Sequence, residues 1–307
     1  MTLRRSHLLI VAAAVVALVT ACSSGESSSA SAPSTSSSPS TSAPTPATPA
    51  TGARATVASL PAPTAGRHLE TFNVNGVNRI AIVVVPKVLS KATPLVFVFH
   101  GHGGTGANIE RKFDIEGLWP QAIVVYPYGL VGHKGKTDPK GLKTGWQTSL
   151  GESGNRDLKF YDVMLASLRS TMPVDVNRIY AMGHSNGSAF VSLLLNQRGG
   201  RIAATANLSG QPSARELATD PTRSTFMSMG INDPIVPYAN QKQAIPRAER
   251  KLGVDPAKTT SLGDLRLEKG RGNLELDTFI YPGGHEPPAI VPRLIVAFFR
   301  RHTLATG

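Results

Sequence analysis

Downstream of Arg178-Ile179-Tyr180-Ala181-Met182 the chain reads Gly183-His184-Ser185-Asn186-Gly187 and continues into an apolar-rich segment ending near Gln197. A serine with glycine two residues away on either side, set between an apolar strand and a helix, fits the G-x-S-x-G turn. The turn is so sharp that it leaves room beside the serine for glycine alone, and it exposes the hydroxyl at the end of the strand. On composition alone such a match is weak evidence, but here it has the strand-turn-helix setting that the motif requires.

The rest of the chain from Arg67 has the matching rhythm. His68 to Val85 alternates around Asn75-Gly76, a dipeptide suited to a type I′ hairpin turn. Leu95 to Phe99 and Ala122 to Tyr126 are short apolar runs of the kind buried on both faces of a parallel sheet. Leu158, Tyr161, Leu165 and Leu168 recur at helical spacing between Asp157 and Met172, with Pro173 just beyond. Further strands are expected at 178–182, 202–208, 225–229 and 276–281, and helices at 187–197 and 288–301; residues between 230 and 275 read as a less regular polar stretch. The expected class is α/β, a mainly parallel, doubly wound sheet with an N-terminal antiparallel hairpin. No internal repeat and no second domain boundary after Arg67 is visible.

A serine hydroxyl is a weak nucleophile unless a base lies within hydrogen-bond reach and an acid holds that base. On this turn the acid and base follow the serine in chain order. Asp233 is the leading acid, because the apolar strand at Phe226 to Met229 opens into Gly230-Ile231-Asn232-Asp233-Pro234; Asp220 and Asp277 are the alternatives. His285, in Gly283-Gly284-His285, is the leading base. His302 ends a helix and suits the helix dipole, while His100, His102, His133 and His184 precede or adjoin the serine in the wrong order. For the oxyanion, Asn186 offers the N–H after the nucleophile, and His100-Gly101-His102-Gly103-Gly104 offers a second, from His102 first and Gly103 next. The same loop lacks the Lys-Ser/Thr of a P-loop, and its histidines have no carboxylate at ligand spacing, so no metal and no cofactor is expected. Trp146 is a candidate wall of the substrate site or, equally, a packing anchor.

The N-terminus reads as an address. Arg4 and Arg5 precede an unbroken apolar run from Leu8 to Val19, too short to span a bilayer, which ends at Val19-Thr20-Ala21-Cys22. Residues 1–21 are expected to be a lipoprotein signal peptide, with Cys22 lipidated and the product anchored outside the cytoplasm. Residues 22–66 are a Ser/Thr/Pro/Ala linker too poor in apolar bulk to fold, and 67–307 form the catalytic domain. With one cysteine in 307 residues, disulfide frameworks, zinc ribbons and iron–sulfur clusters are excluded. The net charge of +12 comes without basic runs interleaved with aromatics, so nucleic acid is not an expected partner; the charge suits a basic exterior facing an anionic envelope.

From His68 to His302 these residues resemble the secreted polyhydroxybutyrate depolymerase and feruloyl or acetylxylan esterase family, including its actinobacterial lipoprotein members. The likeness rests on Leu95 to Gly104 (an apolar strand plus His-Gly-x-Gly-Gly), on Asp157 to Gly187 with its Gly-x-Ser-Asn-Gly turn, and on the acid loop Gly230 to Tyr238. It implies an α/β-hydrolase fold and a triad of Ser185, Asp233 and His285 acting on carboxylic esters of aryl, sugar or polyester alcohols. Where the family continues from its histidine into Trp-Pro-Gly, this chain has Glu286-Pro287-Pro288, so that aromatic wall is missing; cysteine pairs near the elbow are missing too. The resulting expectation is a monomeric, membrane-tethered serine esterase. The alternatives are an envelope acyltransferase with the same triad and a catalytically idle cell-wall binding domain.

Overall fold

A computed structural model of the chain describes residues 64–135, 138–211 and 222–304. Strands β1 (Gly66–Val74) and β2 (Val77–Val85) pair antiparallel without a break, one residue earlier than the expected domain start. Asn75 and Gly76 hold φ of 54° and 84°, the two left-handed positions that a type I′ turn requires. Next come β3 (Thr93–Phe99), α1 (Gly106–Phe113), α2 (Ile115–Leu118), β4 (Ile123–Pro127), α3 (Arg156–Thr171), β5 (Val174–His184), α4 (Asn186–Arg198), β6 (Ala204–Leu208) and β7 (Ser224–Gly230). The chain then forms α5 (Tyr238–Gln241), α6 (Ala244–Leu252), β8 (Thr259–Leu262), β9 (Leu265–Lys269), β10 (Glu275–Tyr281) and α7 (Val291–Arg300).

The strands form one sheet in the order β1-β2-β4-β3-β5-β6-β7-β10-β9-β8. Strands β4, β3, β5, β6, β7 and β10 run parallel, and an antiparallel hairpin closes each flank. β3, β4, β6 and β7 are buried along their whole length, which is why they are written in unbroken apolar or small residues. Strand alternation splits the core into two layers. Leu95, Phe97 and Phe99 meet the α3 and α4 residues Tyr161, Leu165, Phe190 and Leu194, while Val96 and Val98 meet Ile109, Phe113, Ile295 and Phe299 from α1 and α7.

Two regions depart from expectation. The stretch 230–275 contains α5, α6 and the β8–β9 hairpin, and α1 and α2 lie in a segment with no helix anticipated. Helix α6 buries only Ala244, Ala248 and Leu252, a thin stripe among Arg, Lys and Glu that gives little apolar signal. β8 is almost entirely exposed and shows no alternation. No helix of the described residues is long and apolar enough to cross a membrane. The leader 1–21, Cys22, the linker as far as residue 63 and the alternative acid Asp220 lie outside the described residues.

Candidate active site

The parallel strands end together, and three loops leaving that edge carry the residues singled out by sequence: Ser185 after β5, Asp233 after β7 and His285 after β10. Ser185 has φ 56° and ψ −117°, a strained conformation for a residue with a Cβ, which costs about 1–3 kcal/mol. The turn is held by the Ser185 N–H, which donates to Leu208 O at 2.8 Å. Its two glycines are needed for space. A Cβ on Gly183 would stand 2.2 Å from Gly187 O, and one on Gly187 would stand 2.3 Å from Phe99 O.

Asp233 is fully buried at its side chain and accepts four hydrogen bonds. Its Oδ1 takes the N–H groups of Ile235 (2.8 Å) and Val236 (2.9 Å); its Oδ2 takes Gln241 Nε2 and His285 Nδ1, both at 2.8 Å. Burial pushes the Asp233 carboxyl up, but His285 and then the Val236 and Ile235 N–H groups outweigh it and hold the carboxyl below its ordinary range. An ionised carboxylate can only accept, so His285 Nδ1 carries the proton and Nε2 keeps its lone pair. That is the tautomer a general base needs. Gln241, on α5, was not legible as part of this group; a lone polar residue in a short helix gives no periodic signal.

The base loop is tied down at three successive carbonyls. Gly283 O accepts the Asn232 N–H at 2.9 Å, Gly284 O accepts the Tyr281 hydroxyl at 3.1 Å, and His285 O accepts His184 Nε2–H at 3.0 Å. The alternative acid Asp277 sits near the start of β10, opposite Phe226, where Arg301 Nη2 binds it at 2.7 Å and burial raises it to about 6. His302 is buried against Phe298 O (2.8 Å), at the end of α7. Neither adjoins His285.

On the oxyanion side, Gly103 N–H is already engaged by Thr144 O at 2.7 Å and Gly104 N–H by Gly101 O at 3.0 Å. The N–H groups of His102 and of Asn186, the first residue of α4, take no acceptor among the described residues. A buttress invisible in the sequence supports this loop. His102 Nε2 lies 3.1 Å from Asp138 Oδ2, Asp138 accepts the N–H groups of Leu142 and Lys143, and Thr144 Oγ1 donates to Gly104 O at 2.6 Å.

Trp146 corrects one expectation. It is fully buried, stacked on Phe190, edge-on to Phe99, and its indole N–H donates to His100 O at 2.9 Å, so it is a packing anchor and no wall of the substrate site. Its backbone is clamped at both ends by the Asn186 side chain, at 2.8 and 3.0 Å. His100 accepts the Gly129 N–H at Nε2 (2.9 Å) and faces Gly101 O through Nδ1, and His133 is paired with Glu152. Among the described residues no cluster of His, Cys, Asp or Glu could hold a metal ion.

Burial lowers His100 to about 4 and His184 to about 3, from an ordinary 6.5. Both rings are neutral in the folded chain, whereas the unfolded chain takes up protons below 6.5. The stability they contribute is therefore complete above pH 6.5 and drains away as the pH falls toward 4 and 3, at up to about 3 kcal/mol per pH unit for the two together. Urea midpoints measured at pH 7 and pH 5 should differ accordingly; equal midpoints would contradict the neutral assignment.

No family model matches the chain. Over 196 residues it is 29% identical to feruloyl esterase D of Neurospora crassa, a match covering 61% of this chain and 64% of that protein, so less than two thirds of that relative's length is spanned. The acetyl xylan esterase of Aspergillus awamori superposes with a TM-score of 0.60 at 16% identity, over 76% of this chain and 99% of its own. The fold is that of the α/β hydrolases. FphF, a fluorophosphonate-binding serine hydrolase of Staphylococcus aureus, matches this α/β-hydrolase domain at a TM-score of 0.54 and 12% identity, over 78% and 98% of the two chains.

Proposed function

We propose that this chain is an extracytoplasmic serine esterase that hydrolyses carboxylic esters through an acyl-enzyme. The observation that carries the reading is the strained Ser185 between two obligatory glycines, on the same sheet edge as a His285–Asp233 pair at 2.8 Å. Ser185 Oγ attacks the ester carbonyl while His285 Nε2 takes its proton, and Asp233 stabilises the resulting imidazolium. The N–H groups of Asn186 and His102 hold the carbonyl oxygen as it becomes negative. The alcohol leaves with the proton from His285. Water, activated by the same base, then frees the acid.

The substrate class is proposed from the likeness to the feruloyl and acetyl xylan esterases: an aryl or short acyl ester, with a polyester such as polyhydroxybutyrate as the polymer counterpart. The location follows from the Arg-led apolar leader and Cys22. Lipidation there would tether the domain to the membrane, and Cys22→Ala is the variant that releases it.

The deciding experiment combines covalent labelling with turnover. A fluorophosphonate should modify the peptide holding Ser185, and p-nitrophenyl acetate, p-nitrophenyl butyrate and methyl ferulate should be ranked as substrates. Ser185→Ala should lose the label and about 10⁴-fold or more of the turnover. Full turnover in that variant would sink the reading.

A further inference from the structure

Resting on that reading, we infer that His184, the residue before the nucleophile, is a positioning residue that sets the distance between the nucleophile turn and the general base. Of the three bonds on the base loop, the one to Gly283 O comes from the acid loop and the one to Gly284 O from Tyr281, two residues before the loop's first glycine. Only the third crosses from the nucleophile turn: His184 Nε2 to His285 O at 3.0 Å, the one hydrogen bond among the described residues joining 183–187 to 283–287. A carbonyl can only accept, so His184 bears its proton on Nε2 and turns Nδ1 toward Gly101, where a Cβ would stand 3.2 Å away.

The ring also acts as a spacer. Its centroid is 4.8 Å from that of His285 at an angle of 52°, and Phe113 closes its far side edge-on at 6.5 Å. One side chain thus fixes the base twice, by a bond to its carbonyl and by contact with its imidazole. Behind it, Lys112 at the end of α1 pairs with Glu286, tying the residue after the base to the helix that follows the oxyanion loop. The titratable and charged groups facing His184 are Lys112 from α1, and His285 and Asp233 from the base and acid loops. Burial keeps His184 neutral, so it presents no positive charge to His285 when that ring becomes an imidazolium. A charged neighbour at this place would oppose the proton transfer.

Side-chain geometry supplies the test. The amide nitrogen of glutamine reaches about as far as imidazole Nε2, whereas that of asparagine reaches only as far as Nδ1 and phenylalanine keeps the ring without a donor. Wild type, His184→Gln, His184→Asn and His184→Phe are compared for ester kcat and KM and for the rate of fluorophosphonate labelling at Ser185. His184→Phe and His184→Asn should lose about 10- to 100-fold in kcat and in labelling rate, the scale of a misplaced reacting group, with KM changed by less than about 3-fold. His184→Gln should recover most of the loss. Phe and Asn variants that are folded and react at the wild-type rate, or a Gln variant as impaired as both, would overturn the inference. If His184→Phe fails to fold, the Gln and Asn pair still decides. Absence of labelling at Ser185 in the wild type would instead count against the esterase reading itself, which keeps the two failures apart.

Discussion

Asp233→Asn should lower kcat by about 10⁴-fold with little change in KM and a stability loss of about 1–3 kcal/mol. The present carboxylate faces four donors and needs all its acceptor capacity. An asparagine can satisfy Ile235 and Val236 through Oδ1, but its amide group is then pressed against Gln241 Nε2 and His285 Nδ1, two more donors. Gln241 can turn its Oε1, which has no partner among the described residues, toward the new amide only by giving up the bond its Nε2 also makes to Val236 O at 2.6 Å. His285 can relieve its own conflict only by moving its proton from Nδ1 to Nε2. The ring then offers the nucleophile a donor where a lone pair is needed, and the base is lost while the loop stays in place. Burst and steady-state kinetics on a p-nitrophenyl ester would measure the loss. A variant within about 10-fold of wild type would mean that Asp233 does not set the tautomer.

The second large effect is on folding. In Gly187→Ala the new methyl would stand 2.3 Å from Phe99 O and 2.6 Å from His100 O, both backbone atoms at the end of β3. β3 lies between β4 and β5 with every residue buried, so it cannot withdraw. The α4 start must move instead, carrying Ser185 and the Asn186 clamp on Trp146 with it. The expected cost is about 3–5 kcal/mol, with loss of activity. Gly200→Ala is the control: it has open space around it and no left-handed backbone, and should change stability by less than about 0.5 kcal/mol. Urea denaturation of the two variants side by side distinguishes a steric cause from a general intolerance of substitution.

The parallel strands, the sharp turn at Ser185 and the pairing of Asp233 with His285 were legible because each is written locally, in apolar runs, in glycines whose surroundings leave no room for a Cβ, and in loops directly after strands. What stayed hidden depends on contacts between distant segments. Gln241 and Asp138 are polar residues in short or irregular stretches whose roles exist only once the chain brings them to Asp233 and His102. Trp146 lies in a loop, and chain position does not say whether such a side chain turns inward; here Phe99, His100 and Phe190 receive it. Gly103 stood second to His102 as an oxyanion donor, and its bond to Thr144 O, which no local pattern announces, takes it out of reach. The hairpin β8–β9 forms the sheet's edge, where β8 is almost entirely exposed and β9 shows only the short alternation of Leu265 and Leu267 around Arg266.

The antiparallel hairpins on either flank have a bearing on crowding. A parallel sheet left bare would offer its outermost strand as a template to any neighbouring chain. Here the last strand on one side, β8, is four residues long and almost entirely exposed, whereas on the other side β1 runs for nine residues, with its second residue, Arg67, paired to Glu110 and with Leu69, Thr71 and Asn73 outward. Copies of the domain held at high density would meet a short, mostly polar border at β8 and a long one at β1, so adhesion between neighbours would begin on the β1 side, with the Arg67–Glu110 pair at its start as the charged obstacle.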